Sequence, residues 1–283
     1  MKLVTFRHDG KIRHGRLIED GTVVLPLGDG DVTGALGGAA TAAGPVFPLA
    51  DVELLAPLLR PGKLLAAAAN YQDHVAEAGG EPLDKSRLSP RLFLKPPTCI
   101  VGPGADIPMP SVSKEVDWEA ELAVVIGAAA RDVPVERALD VVGGYVTSND
   151  VSARSMDFGY ERDTGDSHVW FFDWLAGKWL DGFAPMGPWL VTADEVPDPQ
   201  ALDVTLDVNG KRRQHGSTKD MIFSVAELVS FASRLMTLEP GDVIMTGTPP
   251  GVGAATGEYL KAGDEMSVTI GDLGTLTNRV VAP

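Results

Sequence analysis

The amino-acid sequence predicts a mixed α/β fold that is dominated by β-strands. Short apolar segments recur along the 283-residue chain, and clusters of glycine, proline, asparagine and aspartate separate them. Segments with the 3.6-residue period of an amphipathic helix are few. Many short strands joined by turn-forming residues are typical of rolled or packed sheets rather than of a helical bundle.

Composition and charge narrow the class of protein. A hydrophobic content of 44% fits a globular chain with a sizeable core. The formal net charge of −15 disfavours nucleic acids and anionic membranes as partners, because both are negatively charged. The chain has one cysteine, Cys99, so an intrachain disulfide is excluded, and we interpret this thiol as a packing residue. Neither a signal peptide nor a run of 18 apolar residues is visible, which predicts a cytoplasmic protein.

The first part of the chain predicts a small antiparallel meander. Three strand-like segments, over residues 3–7, 12–18 and 22–27, alternate with turn-forming sequences that end in glycine. Residues 28–50 are rich in glycine, alanine and proline and are interpreted as loops, and prolines near residue 60 mark a boundary. The sequence therefore predicts a small β-rich N-terminal domain over residues 1–60 and a larger domain over residues 61–283.

The larger domain shows mostly strand patterns and few helical ones. The predicted strands cover residues 64–69, 117–126, 143–150 and 243–246, and the predicted helices cover residues 70–80, 135–140 and 224–237. The last of these helices is the clearest, because Ser224 and Glu227 match a capping box before an apolar face. Residues 81–91 are polar and contain prolines, so they are expected to form a mobile loop.

Two glutamates, Glu119 and Glu121, interrupt the apolar strand over residues 117–126. Successive side chains of a strand alternate between faces, so the two carboxylates would share one face about 6–7 Å apart. Burying two unpaired carboxylates side by side is costly, and a divalent cation would remove that cost. The pair therefore predicts a metal site that needs a further oxygen ligand.

Asp150 is the candidate for the third ligand, because it ends the strand over residues 143–150. Oxygen-only ligands suit Mg²⁺, Mn²⁺ or Ca²⁺ better than zinc. The local pattern leaves an alternative open: Glu119 and Glu121 lie on the solvent face of an edge strand, and Asp150 only caps a turn.

The order of several further motifs resembles that of the fumarylacetoacetate hydrolase family. The matching pieces are Asn70-Tyr71 with His74 and Glu77, Phe93-Leu94-Lys95-Pro96, the Glu-x-Glu at 119–121, Asn149-Asp150-Val151-Ser152-Ala153-Arg154, Gly177-Lys178, Val208-Asn209-Gly210 and Gly247-Thr248-Pro249-Pro250-Gly251. The resemblance runs through most of residues 63–270. It implies a rolled β-structure that holds a metal ion, preceded by a small N-terminal domain, in a protein that is typically a homodimer.

The same resemblance implies roles for individual residues. Glu119, Glu121 and Asp150 match the metal ligands, with Mg²⁺ expected and Mn²⁺ as the alternative. Among the residues expected near the substrate, Lys178 matches a catalytic lysine beside the metal, and Arg154, Thr248 and Tyr71 match substrate-binding positions. Lys95, His168, His215 and Lys219 are expected to be structural or solvent-facing.

His74 and Glu77 match a catalytic pair on a lid over the site. Residues three apart on a helix are neighbours, and a carboxylate beside an imidazole fixes its tautomer and makes it a better base. Two departures from the family pattern concern Asn70 and residues 159–174. Asn70 stands near the place of a further aspartate ligand, so three carboxylates are expected to hold the metal. The aromatic segment 159–174 is expected either to line a pocket for an apolar acyl tail or to pack in the core or a dimer interface.

The activity expected from these residues is hydrolysis of a carbon–carbon bond in a 2,4-dioxo acid, with release of pyruvate. The closest members in type are the acylpyruvases and oxaloacetate decarboxylases, and the expected substrate is a small anionic 2-oxo acid used in catabolism. Four alternatives stay open: decarboxylation of oxaloacetate, tautomerisation of a 2-hydroxy-diene-dioate, hydrolysis of a diketo-deoxy sugar acid, and a binding module without activity.

Overall fold

Strands make up most of the regular structure, as the sequence predicts. The computed structural model describes residues 1–38, 41–42 and 44–283, with 36% of the chain in strands and 21% in helices. The strands are β1 Lys2–His8, β2 Lys11–Ile18, β3 Val23–Asp29, β4 Phe47–Pro48, β5 Glu53–Leu55, β6 Leu64–Ala68, β7 Arg91–Leu94, β8 Ile100–Val101, β9 Asp106–Pro108, β10 Val116–Asp117, β11 Ala120–Ile126, β12 Val142–Asn149, β13 Ser152–Ala153, β14 Ala184–Thr192, β15 Asp203–Val208, β16 Lys211–Ser217, β17 Val243–Met245, β18 Glu265–Ile270 and β19 Thr275–Val281. The α-helices are α1 Gln72–Glu77, α2 Ser167–Ala176, α3 Val225–Leu235 and α4 Gly253–Thr256.

Two sheets carry the fold of the described residues. The larger has twelve strands in the order β4-β3-β2-β1-β14-β12-β11-β17-β6-β7, with β5 paired to β1 and β8 paired to β14. The smaller has five strands in the order β16-β15-β18-β19-β9. The predicted N-terminal meander is present as β1 to β3, and it extends the larger sheet because Leu3 of β1 pairs with Leu190 of β14. The domain boundary near residue 60 stays a prediction.

Strand β11 is buried on both of its faces. Leu122, Val124 and Ile126 belong to the main core, together with the inward residues of the five-stranded sheet and of α3. Ala123 and Val125 point the other way into a second apolar cluster. The predicted alternation of side chains between the two faces of this strand is therefore confirmed. Side chains at the start of β11 enter a closed interior rather than solvent.

Helix α3 confirms the clearest helix prediction. The Ser224 side chain accepts from the Glu227 backbone N–H, and the Glu227 side chain accepts in return from the Ser224 N–H. The helix ends at Leu235 rather than at residue 237, because Met236 has an extended backbone. The helical period places Leu235 on the same face as the apolar residues Val225, Leu228 and Ala232, but 58% of it is exposed.

Helix α2 begins inside the aromatic segment 159–174, for which the sequence predicts no secondary structure. The Asp166 side chain caps it by accepting from the N–H groups of His168 and Val169. Trp170, Phe171 and Phe172 remain about half exposed, so aromatic residues lie on more than one side and no single apolar face marks the helix in sequence. Residues 135–140, predicted as helical, lie in a 3₁₀ helix over Val135–Val141. Within the described ranges, no helix is long and apolar enough to cross a membrane.

Candidate metal centre and active site

Three buried carboxylates meet where β11 begins and β12 ends. The two strands are antiparallel, and Ala120 pairs with Asn149, so Glu119, Glu121 and Asp150 come together across the pair. One oxygen from each lies within 4.8 Å of the others, and each residue is at most 5% exposed. This burial excludes the alternative in which Glu119 and Glu121 lie on the solvent face of an edge strand.

Lys178 joins two of these carboxylates. Its Nζ donates to Glu119 Oε2 and to Asp150 Oδ2, both at 2.8 Å. The residue before it, Gly177, packs so closely that a Cβ would meet the Ala153 carbonyl oxygen at 2.2 Å, so only glycine allows this approach. The predicted proximity of Lys178 to the carboxylates is therefore present, and its catalytic role stays a prediction.

Lys95 is a buried cation that the sequence analysis placed among the lesser candidates. Its side chain is fully buried, and its Nζ forms an ion pair with Asp150 Oδ1. Asp150 therefore accepts from two lysines, one at each oxygen. The available signal in the sequence was the place of Lys95 in the motif Phe93-Leu94-Lys95-Pro96, directly after strand β7. The exposed His168, His215 and Lys219 agree with their expected solvent-facing positions.

Arg154 links the centre to a fourth carboxylate, Asp117, which the sequence analysis did not single out. The arginine Nη2 donates to Glu119 Oε1 at 2.6 Å, and its Nε donates to Asp117 Oδ2 at 2.8 Å. Asp117 also accepts from the N–H groups of Gly253 and Ala254 at the start of α4. The arginine is thus held in one orientation at the wall of the cavity, where its remaining N–H groups can meet an anion.

The surroundings move the pKa values of the two glutamates in opposite directions. Burial alone would raise the pKa of Glu119, but Lys178 and Arg154 outweigh it and lower that pKa to about 2. Burial raises the pKa of Glu121, and the neighbouring Asp150 and Glu119 raise it further. Of the two glutamates, Glu121 is therefore the one whose charge the protein alone compensates less.

The net charge of the cluster of ionisable side chains would change sign if a divalent cation were bound. The cluster contains the buried residues Asp117, Glu119, Glu121, Asp150, Lys95 and Lys178 and the partly buried Arg154. Four carboxylates and three cations leave one net negative charge when all are ionised. A divalent cation would reverse it to one net positive charge, which suits an anionic ligand in a protein of net charge −15. The all-oxygen donor set and the incomplete compensation of Glu121 both fit a hard divalent cation.

Gly247 fixes the orientation of Glu121. Its N–H donates to Glu121 Oε2 at 2.8 Å. It has a φ of 93°, and a Cβ there would lie 2.7 Å from the Cβ of Asn70. Both the backbone conformation and the close approach therefore require glycine at this position.

The side-chain amide of Asn70 is hydrogen-bonded to three backbone groups. Its Nδ2 donates to the carbonyl oxygens of Phe223 and Thr246, and its Oδ1 accepts from the Phe223 N–H, all within 2.9 Å. Its whole amide is therefore engaged away from the carboxylates. This arrangement agrees with the expectation that three carboxylates, without residue 70, form the ligand set.

Changing Asn70 to aspartate is expected to destabilise the protein without improving metal binding. A carboxylate still accepts from Phe223 but leaves two buried carbonyls without a donor, at a cost of about 1–3 kcal/mol each. Urea unfolding and a titration with Mn²⁺ measure the two effects. Metal affinity that rises tenfold or more would contradict this account of Asn70.

His74 and Glu77 form the predicted pair on α1. His74 Nδ1 lies 2.7 Å from Glu77 Oε1, and Glu77 Oε2 accepts from the Gly251 N–H at 2.7 Å. A carboxylate at Nδ1 places the proton there, so Nε2 is the nitrogen with a free lone pair. His74 lines the same cavity as Glu119, Arg154 and Lys178.

The two remaining predicted substrate contacts differ in position. Thr248 lines the cavity, and its Oγ1 accepts from Gln214 Nε2 at 2.8 Å. Tyr71 is 2% exposed and is absent from the described lining of this cavity; it borders a second, smaller space beside His215 and Pro249. The predicted substrate contact of Tyr71 therefore has no geometric support.

The cavity has a volume of about 990 Å³ and two chemically different ends. Its ionic end contains Glu119, Arg154, Lys178, His74 and Thr248. Its other end is formed mainly by apolar side chains from β7, α2 and α3. Glu119 of the buried triad and His74 of the histidine–glutamate pair thus face one mainly apolar cavity with a few convergent polar groups, which is the usual form of a small-molecule site in an enzyme.

Comparison with known protein families identifies the family to which this chain belongs. Residues 63–281 match the family described as fumarylacetoacetate (FAA) hydrolase, C-terminal, and residues 1–57 match the Rv2993c-like N-terminal family. The protein belongs to the fumarylacetoacetate hydrolase family, as the motifs indicated.

Individual relatives agree on the fold but not on a reaction. A protein of Burkholderia multivorans, named only as a candidate hydrolase, is 43% identical over 97% of this chain and 96% of its own length. A structure titled 5-carboxymethyl-2-hydroxymuconate delta-isomerase, from Mycobacterium smegmatis, is 36% identical with a TM-score of 0.82. The fumarylacetoacetate hydrolase of Exiguobacterium antarcticum is 35% identical with a TM-score of 0.82. Each of these two alignments covers the whole of both chains.

Proposed function

We propose that this protein is a metal-dependent hydrolase that cleaves a carbon–carbon bond of an acylpyruvate, a 2,4-dioxo acid, and releases pyruvate. The observation that carries the proposal is that His74, held by Glu77, and Glu119, one member of the carboxylate triad, line one cavity. A base for water and a site for an oxo acid therefore face the same space. The proposal includes a homodimer in the cytoplasm, as expected from the family resemblance.

The metal is proposed to be Mg²⁺, with Mn²⁺ as the alternative, held by Glu119, Glu121 and Asp150. When bound, the ion supplies Lewis-acid stabilisation of the enolate that leaves as pyruvate. Arg154, Lys178 and Thr248 then add donors around the carboxylate and 2-oxo group of the substrate. These cations supply the local positive charge that the acidic surface lacks.

His74 Nε2 is proposed to take a proton from water, while Glu77 holds the ring through Nδ1. The water oxygen bonds to the distal C4 carbonyl carbon. The bond between C3 and C4 then breaks, and its electron pair remains on C3 as the enolate. Protonation of C3 gives pyruvate, and the acyl group leaves as a carboxylic acid, so one water is consumed for each bond cleaved.

A second candidate is tautomerisation of a 2-hydroxy-dienoate, because one solved neighbour is titled an isomerase of such a compound. That reaction moves a proton and consumes no water. It would use the same metal and base, so the geometry of the triad alone does not separate the two candidates.

A substrate panel separates the candidates. The purified protein is assayed with acylpyruvates, oxaloacetate, a 2-hydroxy-diene-dioate and a diketo-deoxy sugar acid, with Mg²⁺ and with a chelator. Pyruvate without CO₂ is expected from acylpyruvates, and only when the metal is present. Pyruvate with CO₂ from oxaloacetate alone, or a change in the ultraviolet spectrum of the dienoate without pyruvate, would overturn the proposal in favour of decarboxylation or tautomerisation.

A further inference from the structure

Helix α2 presents three large aromatic residues to the cavity. Trp170, Phe171 and Trp174 line it, whereas their neighbour Phe172 does not. Trp170 is 60% exposed and Phe171 is 56% exposed, which is a large apolar surface at the opening of an ionic site. A ligand whose apolar part covers these rings would gain the hydrophobic free energy of that burial.

This aromatic surface is continuous with the ionic centre. The Lys178 Nζ lies 5.7 Å from the centre of the Phe93 ring. Phe93 meets Trp174 edge-on at 5.1 Å between ring centres, and Trp174 stacks on Phe171 at 6.3 Å. A ligand anchored by its acid group beside Lys178 would therefore extend directly along Phe93 and α2.

Helix α2 is held firmly in this position. Arg162 pairs with both oxygens of Asp173 on α2, at 2.6 and 2.7 Å, and also donates to the Met156 carbonyl oxygen. Asp166 caps the start of the helix, and Lys178, two residues after its end, donates to Glu119 and Asp150. The aromatic wall is thus a preformed part of the cavity rather than a loose loop.

We infer, on the basis of the proposed function, that α2 selects 2,4-dioxo acids whose distal acyl group is apolar and larger than acetyl. The cavity volume of about 990 Å³ lies at the upper end of the usual range for small-molecule sites, about 300–1,000 Å³. Among the described lining residues beyond the ionic end, Arg91 is the only charged one. A substrate with a distal carboxylate would have to place that charge among the rings or reach Arg91.

Matched substrates test this inference. Hexanoylpyruvate has four more methylene groups than acetylpyruvate, and each fully buried methylene favours binding about fourfold. Because the rings are partly open to solvent, kcat/KM is expected to be at least about tenfold higher for hexanoylpyruvate. Adipoylpyruvate, in which a carboxylate replaces the terminal methyl group, is expected to be the poorer substrate of the two.

Variants of α2 test whether this helix causes the preference for hexanoylpyruvate over acetylpyruvate. The double change Trp170→Ala and Phe171→Ala is expected to lower kcat/KM for hexanoylpyruvate about tenfold and to remove most of the preference over acetylpyruvate. Phe172→Ala is the matched control on the same helix, and it is expected to keep both values. The replaced side chains are about half exposed, so the fold is expected to persist, which circular dichroism checks.

The outcomes separate this inference from the proposed function. No pyruvate from any acylpyruvate would overturn the proposed function itself. Hydrolysis with a preference for acetylpyruvate, or a preference for adipoylpyruvate that disappears in Arg91→Met, would overturn only the role of α2. A double variant that changes the oligomeric state while keeping the hexanoyl preference would assign the rings to an interface with a second copy instead.

Discussion

Changing Glu121 to glutamine is expected to stabilise the metal-free protein and to remove the stabilisation that Mg²⁺ or Mn²⁺ provides. The folded state raises the pKa of this carboxyl above its ordinary value, through burial and its carboxylate neighbours. Above that ordinary value the ionised side chain therefore opposes folding, and neutral glutamine relieves the opposition. We expect about 1–3 kcal/mol of added stability near pH 7, or about 2–4 °C in Tm per kcal/mol.

Glu119→Gln is the matched control, because the two glutamates share one strand region but have opposite pKa shifts. The pKa of Glu119 falls to about 2, so its charge contributes stability above its ordinary pKa and loses it as the pH falls toward 2. The glutamine variant leaves Lys178 and Arg154 short of a partner and is expected to cost about 2–4 kcal/mol. Both variants are expected to bind metal at least about 100-fold more weakly, since each removes a proposed ligand.

Thermal unfolding with a chelator and with added Mn²⁺, at pH 5 and pH 7.5, measures these effects. The gain of Glu121→Gln is expected to shrink as the pH falls, because the wild-type carboxyl then takes up a proton. If both variants destabilise the metal-free protein equally and both keep the metal-dependent rise in Tm, the triad is not the metal site.

Changing His74 to alanine is expected to lower kcat about 10²–10⁴-fold, the usual contribution of a general base. Metal binding is expected to stay within about threefold of wild type, because His74 is not one of the proposed ligands and sits on a separate helix. Glu77→Gln is expected to have a smaller effect on kcat, since glutamine can still accept from the His74 ring and hold it less strongly.

His215→Ala provides the control for a histidine outside the main cavity, and its kcat is expected to match wild type. Steady-state kinetics with an acylpyruvate and a Mn²⁺ titration of the same preparations distinguish loss of the base from loss of the metal. Turnover of His74→Ala that stays near wild type would remove this residue from the mechanism, even if the hydrolytic activity itself is present.

Local chemistry made several features predictable. The capping box of Ser224 and Glu227 follows from backbone groups only three residues apart, and α3 forms where it was expected. The shared face of Glu119 and Glu121 follows from the two-residue period of a strand. The position of Asp150 at a strand end made it the candidate third ligand but left a solvent-facing alternative open, and the family resemblance favoured the ligand role.

Contacts between distant segments were not predictable in the same way. Lys95 and Asp150 are 55 residues apart, and Asp117 and Arg154 are 37 apart, so nothing in the local pattern pairs them. The register of β11 and β12 and the path of the chain after α2 decide which cation meets which carboxylate. Leu235 is exposed for a similar reason, since it is the last residue of α3 before the chain turns extended and it borders the cavity.

The amino-acid sequence by itself determined a strand-dominated chain, a pair of carboxylates on one strand face and the family to which the protein belongs. These features depend on residue types and short spacings, which act through backbone geometry over a few residues. Only the tertiary structure decided that Lys95 and Asp117 join the carboxylates, Lys178 and Arg154 in one charged cluster, and that α2 brings aromatic rings beside it. The reason is physical: buried charges are tolerated only with partners, and distant segments supply those partners once the sheets have packed.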